Sequence, residues 1–147
     1  MKTQILFALL SLTAADLTPA SAADCTNFTG AWAGTCVTNG QTTHDEMGVQ
    51  QQGCQAVNLG GQNVIMGRST TDTRVSDGVV ITTVISADWN PVRSEIVGKY
   101  VIIQRPLQGQ GERYVALDTN VKLESGKLVV AARGEGIDAR CSYEKRQ

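Results

Sequence analysis

Residues 29–54 read TGAWAGTCVTNGQTTHDEMGVQQQGC, and the pair Asn39-Gly40 in the middle decides how the rest is read. Asn and Gly both tolerate φ > 0, which a two-residue type I′ hairpin turn needs at its two central positions. The flanks, 29–38 and 41–52, are then two antiparallel strands in fixed register. Trp32 faces Met47, Gly30 faces Val49 and Cys36 faces Thr43. Carried to the strand ends, the same register sets Cys25 opposite Cys54.

Outward from this hairpin the pattern repeats. Further short runs rich in Val, Ile and Thr fall at 54–59, 62–68, 78–88, 94–105, 112–123, 127–133 and 137–145. Turn chemistry separates them: Gly60-Gly61, Asp77-Gly78, Asn90-Pro91, the QGQG of 108–111, Ser125-Gly126 and Gly134-Glu135-Gly136. Such short connections leave no room for crossover helices, so neighbours pair antiparallel. No helical periodicity appears after Ala23. The expected fold is all-β, an eight- to nine-stranded antiparallel up-and-down barrel with two disulfides, with a β-sandwich as the alternative. Eight strands result if Gly53 bends one long strand instead of ending it. The run 78–88 is apolar on both faces near its start; a loop lying over its outer side is the expected explanation, and an outer patch that meets a partner is the alternative.

The N-terminus carries Lys2, an apolar run from Ile5 to Leu12 broken only by Ser11, and the small-residue segment PASAA. This is the layout of a secretory signal peptide over 1–22, with cleavage possible after residue 23. The run is too short to span a bilayer, and Asp16 follows it. Residues 23–147 form the expected single domain, periplasmic or secreted. A formal net charge of −1 without a basic block excludes an electrostatic footprint for nucleic acid. The four cysteines, Cys25, Cys36, Cys54 and Cys141, lack the close C-x₂₋₄-C pairs of zinc sites. An even number in an exported chain reads as disulfides. Cys36 shares Trp32's inward face, and Cys141 is inward on the last strand, which neighbours the first if the barrel closes. The register therefore favours Cys25–Cys54 with Cys36–Cys141; a bulge at Gly53 would favour Cys25–Cys141 with Cys36–Cys54.

The run Phe28-Thr29-Gly30-Ala31-Trp32 resembles the G-x-W opening of lipocalins and related eight-stranded barrels. With Cys25 in front, CTNFTGAW also resembles the start of avidin-like chains and of the small barrel inhibitors that bacteria export against metalloproteases. Glycine lets the backbone bend as the strand enters the barrel, and a Trp two residues on plugs the narrow end. The resemblance implies a lipocalin-like barrel that holds a small apolar or amphipathic ligand. The inward-facing residues expected to line its cavity are Trp32, Met47, Val49, Ile96, Tyr100 and Ile102. The alternative is a protease-inhibitor-like or protein-interaction module without a cavity, with Trp89, Pro91 and Arg93 of ADWNPVRSE as its contact residues.

No catalytic constellation emerges, so the chain does not read as an enzyme. His44 is the sole histidine, and adjacent side chains on a strand diverge, so His44 and Asp45 do not converge. No serine sits in a G-x-S-x-G elbow, and the cysteines are used in pairing. The carboxylates Glu112, Asp118, Glu124, Glu135 and Asp138 alternate with Arg and Lys as on a solvated strand face. No metal site or cofactor is expected.

Overall fold

A computed structural model describes residues 24–109 and 111–147; the expected leader lies outside the described residues. Among the described residues ten antiparallel strands form one continuous sheet, not two facing ones. They are β1 (Gly30–Thr38), β2 (Gln41–Gln52), β3 (Ala56–Leu59), β4 (Gln62–Ile65) and β5 (Arg68–Ser76). Then follow β6 (Val79–Trp89), β7 (Glu95–Pro106), β8 (Arg113–Glu124), β9 (Lys127–Gly134) and β10 (Ile137–Lys145). The order in the sheet is β4-β3-β2-β1-β10-β9-β8-β7-β6-β5. First and last strands pair, and the sheet curls into a nearly closed barrel.

The opening hairpin holds its register: Trp32 pairs with Met47, Gly30 with Val49 and Cys36 with Thr43. Asn39 and Gly40 take φ of 49° and 83°, as the turn requires. The seam between β1 and β10 sets Cys36 beside Cys141. Both disulfides favoured by the register form, Cys25–Cys54 and Cys36–Cys141. Such covalent staples fit an oxidising compartment. Among the described residues no helix is long and apolar enough to cross a membrane.

Gly53 sets the count at the upper end of the expected eight to nine strands, and one unforeseen strand, β5, raises it to ten. Gly53, with φ 54°, ends β2 instead of bending it, so β3 folds back antiparallel. And β5, RSTTDTRVS, carries no aliphatic face: almost every residue is exposed, and Val75 is its only large apolar side chain. Strand β5 forms because β6 offers a complete ladder partner from Arg68↔Ala87 to Ser76↔Val79. The outer face of β6 is not sealed off: Val80, Thr82 and Val84 are half-buried, and Val75, paired with Val80, stands 63% exposed.

The core gathers at one end of the barrel, around Phe28, Trp32, Val49, Val57, Ile96, Val121, Leu128 and Tyr143. Phe28 is fully buried and stacks on Trp89, with ring centroids 5.7 Å apart. Trp32 donates its indole N–H to the Phe28 carbonyl at 2.9 Å, and the Lys145 ammonium lies 5.7 Å over its ring. The glycine–tryptophan opening thus closes this end.

Candidate functional site

The strands also leave the barrel incomplete on one side. Strand β3 pairs with β2 only over Val49–Gln52, and β4 follows it back from the Gly60-Gly61 turn. Strand β5 touches this hairpin where Thr70 Oγ1 donates to the Asn63 carbonyl at 3.4 Å, and the link between β4 and β5 is tied to β6 by the Gly67 amide, which donates to the Ala87 carbonyl at 2.9 Å, and by a Met66–Ala87 bridge. Beyond the hairpin tip, residues 41–47 of β2 and 71–76 of β5 have no strand between them among the described residues. Where β3 and β4 would continue, two strand places are empty.

One lip of the opening is fixed by polar bonding across three strands. Gly34 pairs with Asp45 on one side and Tyr143 on the other. A Cβ at Gly34 would lie 2.0 Å from the Ser142 carbonyl oxygen, so only glycine lets β1 and β10 approach this closely. The Tyr143 ring reaches across Gly34, and its hydroxyl donates to Asp45 Oδ2 at 2.8 Å. The same hydroxyl lies 3.2 Å from Cys36 Sγ. Burial of the phenol, then its bond to the Asp45 carboxylate and that group's charge, raise the Tyr143 pKa well above the usual tyrosine value of 10. His44 and Glu46, next to Asp45 in sequence, take the outer face, so HDE forms no cluster.

The inner wall opposite this lip is built by β5 to β8 in register. Three rows cross it: Arg74–Ile81–Gln104–Arg113 at the mouth, then Asp72–Thr83–Ile102–Val115, then Thr70–Ile85–Tyr100–Leu117. The aliphatic side chains are more buried toward the inner end of the rows, while Thr83 is already buried in the second row and Tyr100 half-buried in the third. Ile85 and Leu117 are buried in the third, Ile102 and Val115 are half-buried in the second, and Arg74 and Arg113 are exposed at the mouth. A hollow of about 300 Å³ lies there, lined by Val79, Gln104, Pro106, Gly111, Glu112 and Arg113.

The six residues expected to line a cavity therefore divide. Trp32, Val49 and Ile96 are 3%, 2% and 3% exposed in the packed end, and Met47 leans against them. Tyr100 and Ile102 stand on the accessible wall. Of the expected contact residues, Trp89 is half-buried, stacked on Phe28 and bonded through its indole N–H to the Cys54 carbonyl at 2.9 Å. Arg93 is half-buried, and its carbonyl accepts from the Thr26 amide at 2.9 Å. Pro91 alone of the three is exposed. Sequence reasoning passed over Ile81, Arg74 and Arg113. For Arg113 the signal was present, because it shares strand parity with Val115, Leu117 and Val121.

The outer face carries ion pairs instead. Arg105–Glu112, Lys122–Glu124, Lys127–Glu144, Arg133–Asp138, Arg140–Glu124 and Arg146–Glu46 lie at or beside strand ends. Hydrogen bonding to Lys127 lowers the Glu144 pKa, and bonding to Lys122 lowers that of Glu124. All are solvated and contribute little to stability.

These features define an all-β barrel, stapled and packed at one end and open along one flank at the other. No protein-family model matches the chain, and no curated protein matches it.

Proposed function

We propose that the protein is an exported, lipocalin-like binding barrel whose ligand is a small apolar or amphipathic molecule held against the accessible inner wall. The observation that carries this reading is the opening between β2 and β5. It leaves Ile81, Ile102, Tyr100 and Val115 facing inward yet only half-buried. A barrel filled for stability alone would bury such residues along its whole length, as this one does around Trp32 and Leu128. Apolar walls with a few polar groups beside them are the usual chemistry of small-molecule sites. Tyr100, Thr83 and Gln104 supply those groups.

Native mass spectrometry of the protein purified from its own secreting host tests the reading. A retained non-covalent small molecule, lost from an Ile102→Glu variant with intact disulfides, is the expected result. Protein that carries only a bound polypeptide would instead support an interaction module and overturn the ligand reading.

A further inference from the structure

Most cations of this chain are already engaged. Arg105, Arg133, Arg140, Arg146, Lys122 and Lys127 pair with carboxylates, and Lys145 lies over Trp32. Arg74 and Arg113 make no such bond among the described residues, and neither do Arg68 and Lys99. Lys99 faces outward, next to Asp118 in register, and Arg68 stands at the opposite end of β5. The two arginines at the mouth share one register row, on the concave side, with Ile81 and Gln104 between them.

From this placement we infer that the mouth takes the head group of a single-chain anionic amphiphile, with Arg74 and Arg113 closing on the anion and the inner wall taking the chain. The inference rests on the ligand reading above and names its chemical class. Three strand spacings, about 14 Å, separate the arginine backbones. Both side chains are exposed at the ends of the row, and Arg113 lines the hollow at the mouth. Guanidinium forks match carboxylate or phosphate oxygens two at a time. Ile81 stands in the same row, immediately inward Ile102, Val115 and Tyr100 continue an apolar track, and Ile85 and Leu117 form its buried floor. The carboxylates nearby balance the two arginines, so selection of the anion rests on the paired guanidinium forks and not on a net positive field. Glu112 is held by Arg105 at 2.5 Å, Asp72 stands one row further in, and Asp77 sits in the β5–β6 turn. The hollow beside Gln104, Pro106 and Arg113 supplies room at the head-group end.

Isothermal titration of the disulfide-intact protein with decanoate, decanol and decyltrimethylammonium, each below its micelle concentration, tests this. Decanoate is expected to bind at least about tenfold more tightly than decanol, and the cationic amphiphile more weakly than either. Arg74→Gln with Arg113→Gln should bring decanoate down to the affinity of decanol. Lys99→Gln, on the outer face, should leave it unchanged. Equal binding of decanoate and decanol, or decanoate binding that survives loss of both arginines, overturns the anionic head group while leaving a ligand barrel standing. Failure of all three amphiphiles to bind overturns both.

Discussion

Replacing Tyr143 by phenylalanine removes one hydroxyl and nothing else from a side chain that is 3% exposed. That hydroxyl donates to Asp45 Oδ2 at 2.8 Å, a charge-assisted bond at the edge of the barrel opening. Bonds to charged groups contribute about 1.5–3 kcal/mol, and the exposure of Asp45 moves the expectation to the low end, about 1.5 kcal/mol at neutral pH. For a domain of this length that is a loss of roughly 5 °C in Tm. The pH dependence carries the sharper test. Tyr143 has its pKa raised in the folded state, so the native protein holds the phenolic proton more tightly than the unfolded chain does. The stabilisation is complete below the unfolded value of 10 and is lost as pH climbs from there toward the folded pKa. The slope in that window is about 1.4 kcal/mol per pH unit, so wild type and Tyr143→Phe should become equally stable near pH 11. Urea unfolding with the disulfides intact, followed by circular dichroism from pH 7 to about 11.5, measures both curves. A gap between them that stays constant with pH would refute the assignment of the shift to this buried phenol. The double variant Asp45→Asn with Tyr143→Phe, expected to be no less stable than Tyr143→Phe alone, completes the double-mutant cycle with the Asp45→Asn single variant.

The remaining predictions concern packing and staples. Gly34→Ala should cost about 2–3 kcal/mol, because its Cβ would meet the Ser142 carbonyl at 2.0 Å, whereas Gly48→Ala, with nothing within 4 Å, should stay within about 0.5 kcal/mol of wild type in the same urea assay. Removing the Cys36–Cys141 bridge, which joins residues 105 apart, should cost about 4.7 kcal/mol in the loop-entropy view, against about 3.5 for Cys25–Cys54 at 29 apart; paired Cys→Ala variants compared by unfolding midpoint check that order. Phe28→Ala empties a fully buried site stacked on Trp89 and should lose about 3–5 kcal/mol together with the near-ultraviolet signal of the tryptophans.

The legible part of the fold was the part with strong local chemistry. Asn39-Gly40 fixed a register, and that register carried Cys25 to Cys54 across many residues without any long-range information. The alternation of Ile137, Ala139, Cys141 and Tyr143 gave the inner face of β10, and closure then brought Cys141 to Cys36. Strand β5 escaped because polar threonines and charges on both faces carry no period-2 signal; its strand state comes from the neighbouring ladder, a tertiary effect. Gly53 was ambiguous for a related reason, since a glycine permits both a bulge and a turn and only the pairing of β3 with β2 chooses. Tyr143 and Asp45 lie 98 residues apart, and their meeting depends on the bare backbone of Gly34 between them. Even a correct strand map leaves that contact hidden until the seam is drawn.

The same geometry explains why the aromatic and disulfide content sits where it does. Phe28, Trp32 and Trp89 occupy the packed end, and Cys25–Cys54 ties the segment ahead of β1 to the turn after β2 there. The second bridge, Cys36–Cys141, crosses the seam further toward the open half. With two staples and one dense core, the opposite end is relieved of the need to bury apolar surface for stability. Strands β6 to β8 can then carry Ile81, Ile102 and Val115 half-buried, and β5 can remain a polar rim. A domain of this size could not leave that wall accessible if the β3–β4 hairpin continued across the opening. Extending the hairpin by an engineered pair of residues on each side of Gly60-Gly61 should therefore bury Ile102 and raise Tm while abolishing decanoate binding. Binding that persists with the gap narrowed would show that the ligand does not use this flank.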